Sequence, residues 1–574
     1  MKKVSVAAFS PEIRVSDIDY NTLKIKDMIT VAEEKGADLL FLPEFCITSR
    51  SCGDLFSNRG LLEKTLLALD ELMSFTSGKQ LVCVFSAPLT IENNLYEAAV
   101  FMCGGQILSV IPRTDFSGDI AYLRWFTPWH GANGLYKLGN GREVYVCDSL
   151  QMNQHCYAVF YGHASLRTVG TSQVSLVYTS SVERVGRISE IRNALRTHTK
   201  ENGFAAVGLS PDISESTGSG VCSGFSCMYF NGKHLGSNAP FSGQNLIYDT
   251  STAPLPEAGE RDDCWLALEI QGQALAQRLK KIWVSKIILG ISGGLDSTQA
   301  LIAGVRALDI MGVPRTNLIA VTMPCFGTTS RTKSNAQRMA ELCGVTFREV
   351  SIRESVIQHL KDIGHDGYTS DVTYENAQAR ERTQVLMDLA NMENAIVLGT
   401  GDMSEAALGW CTFNGDHISM YNVNCNLTKT FLRKIVRYEA TELLSGELSE
   451  VLLDVIDTPV SPELKPAVDG EIAQKTEDIL GPYEVLDYYL ECLVKDDKPV
   501  REIYYGATET FADRYSEEDL MKWLKQFIKR FFNNQFKRNC VPDGPMIVDY
   551  SISPFRGWIM TSDTSSASFL SDLE

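Results

Sequence analysis

The chain has 574 residues, of which 44% are hydrophobic and 22% charged, and 53 basic against 71 acidic side chains give a formal net charge of −18. This length predicts two or more domains, and the acidic surplus argues against a nucleic-acid-binding surface while leaving small anionic ligands open. We find no apolar run near the roughly 20 residues of a membrane span, and fifteen scattered cysteines indicate reduced thiols, so we expect a soluble, cytoplasmic protein that binds no membrane.

The first 250 residues alternate short β-rich runs with helical stretches. The runs are VSVAAF, DLLFLPEF, QLVCVFSAP, EVYVCDS, YAVFY, VSLVYTS and FAAVGLS. Two later stretches, AAVFMCGGQILSVIP and CSGFSCMYFNGKHLG, have the pattern of β-hairpins that turn at GG and NG. The pattern predicts a layered α/β domain over 1–250. Residues 251–263, STAPLPEAGERDD, combine Pro, Gly and charge with little apolar content, which predicts a linker.

From residue 264 to residue 574 we predict a second domain. Its first part alternates strand and helix patterns: KIILGI, STQALIAGVRALDI, LIAVTMP, SNAQRMAELCG, FREVSI and AIVLGTG. Such a βαβ series predicts a doubly wound, parallel α/β sheet. Ligands of such sheets bind outside the carboxyl ends of the strands.

The stretch KIILGISGGLDSTQALIAG runs an apolar strand into a glycine turn and then into a helix. Ser292, Gly293 and Gly294 allow main-chain amides to approach an anion, and the helix start near Ser297 adds its positive dipole end. Asp296 would repel phosphate unless a cation bridged them, so Mg²⁺ is implied. The lysine of a Walker loop is absent. A glycine-rich βα turn without a ligand is the alternative.

The SGGLDS motif resembles the signature of the N-type ATP pyrophosphatases, which release AMP and pyrophosphate. Within that group, residues 265 to 560 resemble NAD⁺ synthetase. The matching stretches are DVTYENAQARERT, VLGTGDMSEAALGW, YNVNCNLTKT and NQFKRNCVPDGP. The resemblance implies that ATP and deamido-NAD⁺ are substrates, that the nicotinate carboxylate is adenylated, and that ammonia then forms the amide.

The same resemblance assigns site residues. Asp296 and Glu405 would hold Mg²⁺ and act in synthesis, although a carboxylate such as Glu405 could simply meet a helix dipole. The implied ATP-binding residues are Gly290, Ser292, Gly293, Gly294, Leu295, Asp296, Ser297 and Thr400. The implied deamido-NAD⁺-binding residues are Asn376, Arg382, Glu405, Asp416, Lys429 and Lys537.

Many synthetases of this type carry an upstream nitrilase-like glutaminase domain with α-β-β-α layers and a Glu–Lys–Cys set, which the first 250 residues resemble. Glu44 in LLFLPEF matches the glutamate. Arg113 stands at the lysine position, and counting along YAVFYGHAS places Phe160 at the nucleophile position. A phenyl ring cannot attack an amide, so we expect a catalytically dead glutaminase domain that is retained in a homo-oligomer.

Three alternatives remain open at this stage. The glutaminase could work with another cysteine, Cys156 or Cys147. The chain could be a regulatory paralogue that binds nucleotide without turnover. A different acid substrate could be used on the same ATP pyrophosphatase core.

Overall fold

The computed structural model describes residues 3–117, 119–152, 155–166, 174–179, 182–257, 259, 261–326, 330–458 and 476–574, and within 330–333 the backbone only. It divides the chain into two compact units: an amino-terminal unit of Met1–Thr217 and Val221–Glu260, and a carboxy-terminal unit of Gly218–Gly220 and Arg261–Glu574. Two positions of the predicted linker, 258 and 260, lie outside the described residues.

The amino-terminal unit contains fourteen strands and three α-helices among its described residues. The strands are β1 (Ser5–Ala8), β2 (Leu39–Phe41), β3 (Val82–Ile91), β4 (Asn94–Cys103), β5 (Gln106–Pro112), β6 (Gly134–Lys137), β7 (Glu143–Val146), β8 (Leu150–Met152), β9 (His155–Tyr161), β10 (Val174–Tyr178), β11 (Ala205–Leu209), β12 (Ser226–Phe230), β13 (Lys233–Ser237) and β14 (Leu246–Asp249). The helices are α1 (Ile18–Glu34), α2 (Arg59–Phe75) and α3 (Arg187–Asn202).

These strands form two sheets, in the orders β14-β1-β2-β3-β4-β5-β7-β6 and β13-β12-β11-β10-β9-β8. Residues such as Phe41 and Leu176 fill the core between the sheets. Helices α1 and α2 cover the outer face of the first sheet, and α3 covers the second, with Ile191 and Leu195 against β9 to β12. The α-β-β-α layering predicted for this domain is confirmed.

Both predicted hairpins are present. Strands β4 and β5 pair antiparallel across Gly104 and Gly105, which have φ of +58° and +82°. Strands β12 and β13 pair across Asn231 and Gly232, with φ of +50° and +75°. A tight hairpin turn requires two consecutive residues in the left-handed conformation, which explains the Gly-Gly and Asn-Gly pairs.

The carboxy-terminal unit contains five strands and fourteen α-helices among its described residues. The strands are β15 (Ile287–Gly290), β16 (Leu318–Thr322), β17 (Thr346–Glu349), β18 (Ile396–Gly399) and β19 (Tyr421–Asn422). The helices are α4 (Asp263–Lys281), α5 (Leu295–Met311), α6 (Ser330–Cys343), α7 (Arg353–Asp362), α8 (Val372–Glu393), α9 (Met403–Leu408), α10 (Lys429–Tyr438), α11 (Glu447–Ile456), α12 (Thr476–Leu480), α13 (Tyr483–Val494), α14 (Val500–Thr510), α15 (Glu517–Asn533), α16 (Gln535–Arg538) and α17 (Ala567–Ser571).

All four strand pairs of this sheet are parallel, in the order β17-β16-β15-β18-β19. Helices α7 and α8 pack on one face, where Val356 and Ala390 join Ile288 and Val397 in one apolar cluster. Helix α5 contacts β15 and β16 and also packs against α4 and α10. The predicted doubly wound parallel sheet is confirmed. Its carboxyl edge carries the loops that follow β15 and β18.

Two expectations from composition can be compared with the structure. None of the described helices has the length and apolar content needed to cross a lipid bilayer. All fifteen cysteines are free thiols, and most of them are buried, as expected for reduced cysteines.

Candidate active site

The glycine turn after β15 leads directly into α5, whose first residue is Leu295. Gly293 has φ of +84°, a left-handed conformation that favours glycine. A Cβ atom on Gly290 would lie 3.0 Å from the Leu386 side chain, a close approach that favours glycine at the strand end. Gly294 caps the helix without a side-chain hydrogen bond. The first-turn amides of α5 are therefore suited to an anion.

Two serine hydroxyls fix the shape of this turn. The Ser292 Oγ accepts a hydrogen bond from the Gly294 amide at 3.2 Å and lies 3.1 Å from Ser297 Oγ. Ser297 Oγ in turn donates to the Gly294 carbonyl at 3.1 Å. The turn is thus held by its own side chains, and the predicted residues Ser292, Gly293, Gly294 and Ser297 are brought together.

Three carboxylates converge beside the first turn of α5. One oxygen each from Asp296, Asp402 and Glu405 lies within 4.8 Å of the others. Asp296 is in α5, whereas Asp402 caps α9 and accepts the Glu405 amide at 2.8 Å. Hard carboxylate oxygens at this spacing fit a divalent cation such as Mg²⁺.

The ammonium of Lys429, the first residue of α10, lies on all three carboxylates. Its Nζ is 2.7 Å from Asp296, 2.9 Å from Asp402 and 2.9 Å from Glu405. Only 1% of the lysine side chain is exposed. We call these four side chains the carboxylate–lysine cluster. Lys429 was predicted to contact substrate, but here it is held by the carboxylates, because a buried ammonium needs counter-charge.

Burial and mutual charge shift the titration of this cluster. Burial would lower the pKa of Lys429, but Asp296, Asp402 and Glu405 outweigh it and raise that pKa well above its usual value. Burial raises the pKa of Glu405 to about 7, against the opposing charge of Lys429. Burial likewise raises the pKa of Asp402 well above its usual range. One ammonium therefore does not fully compensate three buried carboxyl groups.

One member of this cluster, Asp402, and one residue that supports it, Asp487, were not identified from the sequence. Asp402 stands three residues before Glu405 in the stretch DMSE, which is the spacing of a helix capping box, and that signal could have found it. Asp487 in α13 accepts hydrogen bonds from the Ser404 hydroxyl and from the Thr430 amide at 2.9 Å. Ser404 accepts the Lys429 amide at 2.9 Å. Asp487 thus braces the backbone on both sides of the cluster.

A cleft opens beside Asp402 and Glu405. Asp416, His417 and Lys537 also line it. The Lys537 ammonium donates to the carbonyls of Gly409 and Cys411 at 2.8 and 2.7 Å, so it fixes the loop that follows α9.

The remaining predicted substrate residues lie around the same edge of the sheet. Asp416 accepts the Thr412 amide at 2.7 Å, and the Thr412 hydroxyl donates to Asn376 at 2.8 Å, which links Asp416 to α8. Burial raises the pKa of Asp416. The Arg382 Nε donates to the Met323 carbonyl at 3.3 Å, after β16. Thr400 follows β18, and its carbonyl accepts the Asn424 side-chain amide at 2.9 Å.

In the amino-terminal unit, Glu44 lies in a second buried group of charges. Its carboxylate is 3.7 Å from Arg113 Nη1 and 3.4 Å from Arg50 Nε. Arg113 also pairs with Glu97 at 2.9 Å and with Asp119 at 2.7 Å. These five residues are called the arginine–glutamate cluster. Among the described residues, the ion pairs of the Glu44 carboxylate are with Arg50 and Arg113.

Burial, together with Glu44, raises the pKa of Glu97 well above its usual range. Burial opposes the charge of Arg113, but Glu97, Glu44 and Asp119 keep its pKa high. Arg50 and Arg113 thus pair with every carboxyl group of the arginine–glutamate cluster.

The structure corrects the placement of Phe160. Its ring packs with Ile191 and lies 5.6 Å from the His198 ring, on the α3 side of the second sheet. The neighbouring Tyr161 faces the other way: its ring is 5.4 Å from Arg113 Cζ, and its hydroxyl donates to the Ile111 carbonyl at 2.9 Å. Successive strand residues point to opposite faces, so Phe160 does not face Glu44.

Comparison with known proteins adds the following. Residues 268–540 match the family model described as NAD synthase. The chain is 28% identical to a glutamine-dependent NAD(+) synthetase of Mycobacterium tuberculosis, over 100% of this chain and 98% of that protein, and 26% identical to one of Acinetobacter baylyi, over 96% of each. A crystal structure of a glutamine-dependent NAD(+) synthetase from Cytophaga hutchinsonii has the same fold, with a TM-score of 0.83, 19% identity, and 100% and 99% of the two chains covered.

The role of the ammonium in the carboxylate–lysine cluster can be tested with the variant Lys429→Met. Because a divalent cation at this site would compete with the ammonium for the same three carboxylates, the variant should bind Mn²⁺ in the absence of nucleotide at least about tenfold more tightly than the parent, by calorimetry. Lys537→Met, which leaves the cluster intact, is the matched control. An unchanged Mn²⁺ affinity in Lys429→Met would contradict this interpretation.

A pH effect on stability follows from Glu215, which accepts hydrogen bonds from the Ser49 hydroxyl at 2.8 Å and the Arg50 amide at 2.5 Å. Burial raises its pKa to about 7, whereas an unfolded glutamate titrates near about 4.3. Between these values the folded chain retains a proton that the unfolded chain has lost. Folding stability therefore falls as the pH rises through this window, and the loss is complete above about pH 7.

Glu215→Gln removes this titration. Relative to the parent, the variant should gain about 3 kcal/mol in free energy of unfolding between pH 4.5 and pH 8, measured by urea denaturation of the full chain. Glu34→Gln, on the exposed side of α1, should leave the pH dependence unchanged. Parallel pH profiles for Glu215→Gln and the parent would show that Glu215 is ionised throughout.

Proposed function

We propose that this enzyme makes NAD⁺ from deamido-NAD⁺, because residues 268–540 match the NAD synthase family model and the whole chain is similar to glutamine-dependent NAD(+) synthetases. The nicotinate carboxylate attacks the α-phosphorus of ATP and pyrophosphate leaves. Ammonia then attacks the acyl-adenylate, which gives the amide and AMP. The observation that carries this proposal is the carboxylate–lysine cluster beside the first turn of α5.

The phosphates of ATP have a matching surface at the carboxyl edge of the sheet. The uncapped first turn of α5 and the turn of residues 292–294 present main-chain amides to the departing diphosphate. Asp296, Asp402 and Glu405 would hold Mg²⁺, which when bound neutralises charge on phosphate oxygens. Lys429 would add positive charge beside the phosphates, because its ammonium lies on the carboxylates that would hold the cation. The chain's contribution is positioning and charge compensation.

The cleft next to the cluster is proposed to hold deamido-NAD⁺. Asp416 lines this cleft, and its hydrogen bond to the Thr412 amide fixes its direction. Lys537 shapes the cleft by anchoring two carbonyls of the 409–411 loop. Asn376 and Arg382 belong to α8, and they are hydrogen-bonded to the loops that follow α9 and β16, respectively. This arrangement supports a nucleotide lying along the carboxyl ends of the strands.

We further propose that the amino-terminal unit does not hydrolyse glutamine. Glutamine hydrolysis of the Glu–Lys–Cys type needs a base that is free to take a thiol proton and an ammonium near the oxyanion. Glu44 is instead held between Arg50 and Arg113. Arg113 is itself used by Glu97 and Asp119, and a guanidinium does not replace a point-like ammonium.

The second candidate function is glutamine-dependent NAD⁺ synthesis with a working glutaminase, because the similar proteins are named glutamine-dependent NAD(+) synthetases. It would need a reactive thiolate, which buried apolar surroundings disfavour. Burial raises the pKa of Cys147, one of the two substitutes considered in the sequence, and both Cys147 and Cys156 are buried in this structure. The same holds for Cys46, two residues after Glu44, whose pKa burial raises well above its usual value. The raised pKa values of Cys46 and Cys147 favour the neutral thiol over the thiolate.

The nitrogen source separates the two candidates. Purified protein is given deamido-NAD⁺, ATP and Mg²⁺ with either NH₄Cl or glutamine, and NAD⁺ and AMP are quantified. We expect equimolar NAD⁺ and AMP with NH₄Cl and at least about a hundredfold lower kcat/KM with glutamine, since the glutaminase nucleophile supplies a covalent step that the chain lacks.

Cys147→Ala and Cys156→Ala each remove one of the two cysteines considered as substitute nucleophiles, and both variants are assayed with the same two nitrogen sources. Both should keep the NH₄Cl-dependent rate of the parent within about twofold. Turnover with glutamine that equals turnover with NH₄Cl and that is lost on thiol alkylation would overturn the claim for the amino-terminal unit. Absence of AMP with either nitrogen source would overturn the synthetase assignment itself.

A further inference from the structure

Asn424 lies in the loop between β19 and α10 and is fully buried. Its side-chain Nδ2 donates two hydrogen bonds, to the Asp296 carbonyl at 3.0 Å and to the Thr400 carbonyl at 2.9 Å. Asp296 belongs to the first turn of α5, and Thr400 directly follows the segment of β18. One amide group therefore joins the two loops that carry the proposed ATP site.

A chain of buried amides fixes the orientation of this side chain. The Asn424 Oδ1 accepts a hydrogen bond from Gln271 Nε2 of α4 at 3.0 Å. The Gln271 Oε1 accepts in turn from Gln299 Nε2 of α5 at 2.7 Å. Rotating the Asn424 amide by half a turn would place its oxygen against two carbonyl oxygens, so only one orientation satisfies all its partners.

A second asparagine extends the same tie. Asn422 Nδ2 donates to the Gly401 carbonyl at 2.8 Å, and Asn422 Oδ1 accepts the Asn424 amide at 2.9 Å. The carbonyls of Thr400 and Gly401 precede Asp402, the residue that caps α9. Asn424 is thus hydrogen-bonded to the carbonyl of Asp296 itself and to the carbonyl of Thr400, which lies two residues before Asp402.

From this geometry we propose that Asn424 is a positioning residue for the carboxylate–lysine cluster, one that sets the separation between Asp296 on α5 and the Asp402 and Glu405 carboxylates on α9. The proposal rests on the proposed function, because that separation matters where a Mg²⁺–ATP complex must be held. Removal of the two donor bonds frees the loops to move apart. A displacement of about 1 Å in such a site can cost about a hundredfold in rate.

The neighbouring Asn426 provides a matched control. It is also fully buried, its Nδ2 donates to the Tyr550 carbonyl at 2.7 Å, and its Oδ1 accepts the Ile547 amide at 2.6 Å and the Val548 amide at 2.9 Å. These partners lie in the carboxy-terminal segment. Its contact with α9 is a 3.8 Å approach to the Met403 sulfur.

The test compares Asn424→Ala and Asn424→Asp with Asn426→Ala and Asn426→Asp in the full chain. The aspartate variants keep the shape and an acceptor oxygen and replace the donor amide by a carboxyl oxygen, a change that is the same in both pairs, so they remain informative if an alanine variant does not fold. Three quantities are measured: the thermal midpoint, the calorimetric affinity for Mg²⁺ with α,β-methylene-ATP, and kcat and KM for ATP with NH₄Cl as nitrogen source.

We expect both pairs to lower the thermal midpoint to a similar extent, because each loses a buried amide's hydrogen bonds. The Asn424 variants should in addition weaken binding of the ATP analogue by at least about tenfold and raise KM for ATP. The Asn426 variants should stay within about twofold of the parent in both. Equal nucleotide affinities in the two pairs would overturn the inference, whereas a parent protein that binds the analogue and forms no NAD⁺ would overturn the proposed function instead.

Discussion

One buried ammonium opposite three carboxyl groups is the constraint on which the carboxy-terminal unit depends. Lys429 reaches Asp296, Asp402 and Glu405 within 2.9 Å, and these residues come from the starts of three helices. An uncompensated buried charge costs several kcal/mol, so the three helix starts must stay together. Three carboxyl groups against one ammonium favour a further cation, and the amides of the adjacent first turn of α5 are suited to an anion.

Both units bury carboxyl groups beside basic side chains, but in different proportions. In the amino-terminal unit, two guanidinium groups face three carboxyl groups, and burial raises the pKa of one of them, Glu97. In the carboxy-terminal unit a single ammonium faces three carboxyl groups. We attribute the different proposed roles of the units to this difference, because the smaller share of positive charge favours the binding of a metal ion.

Local sequence signals predicted much of the fold and part of the site. The Gly-Gly and Asn-Gly hairpins, the strand–turn–helix of residues 286–304 and the parallel sheet depend on neighbouring residues and were predicted correctly. The pairing of Lys429 with Asp296 spans 133 positions, and sequence gives no measure of such a separation. The placement of Phe160 shows another limit of prediction from sequence. A shift of one residue along a strand moves a side chain to the opposite face of the sheet, and in this structure Tyr161, not Phe160, faces the arginine–glutamate cluster.

Transfer of ¹⁸O from substrate to product tests the central claim, adenylation at the carboxylate–lysine cluster, most directly. Deamido-NAD⁺ labelled with ¹⁸O in its nicotinate carboxylate is converted with ATP and NH₄Cl, and the products are analysed by mass spectrometry. Attack of the carboxylate on the α-phosphorus predicts one ¹⁸O atom in AMP and none in pyrophosphate. Unlabelled AMP, or release of ADP with labelled phosphate, would contradict the account.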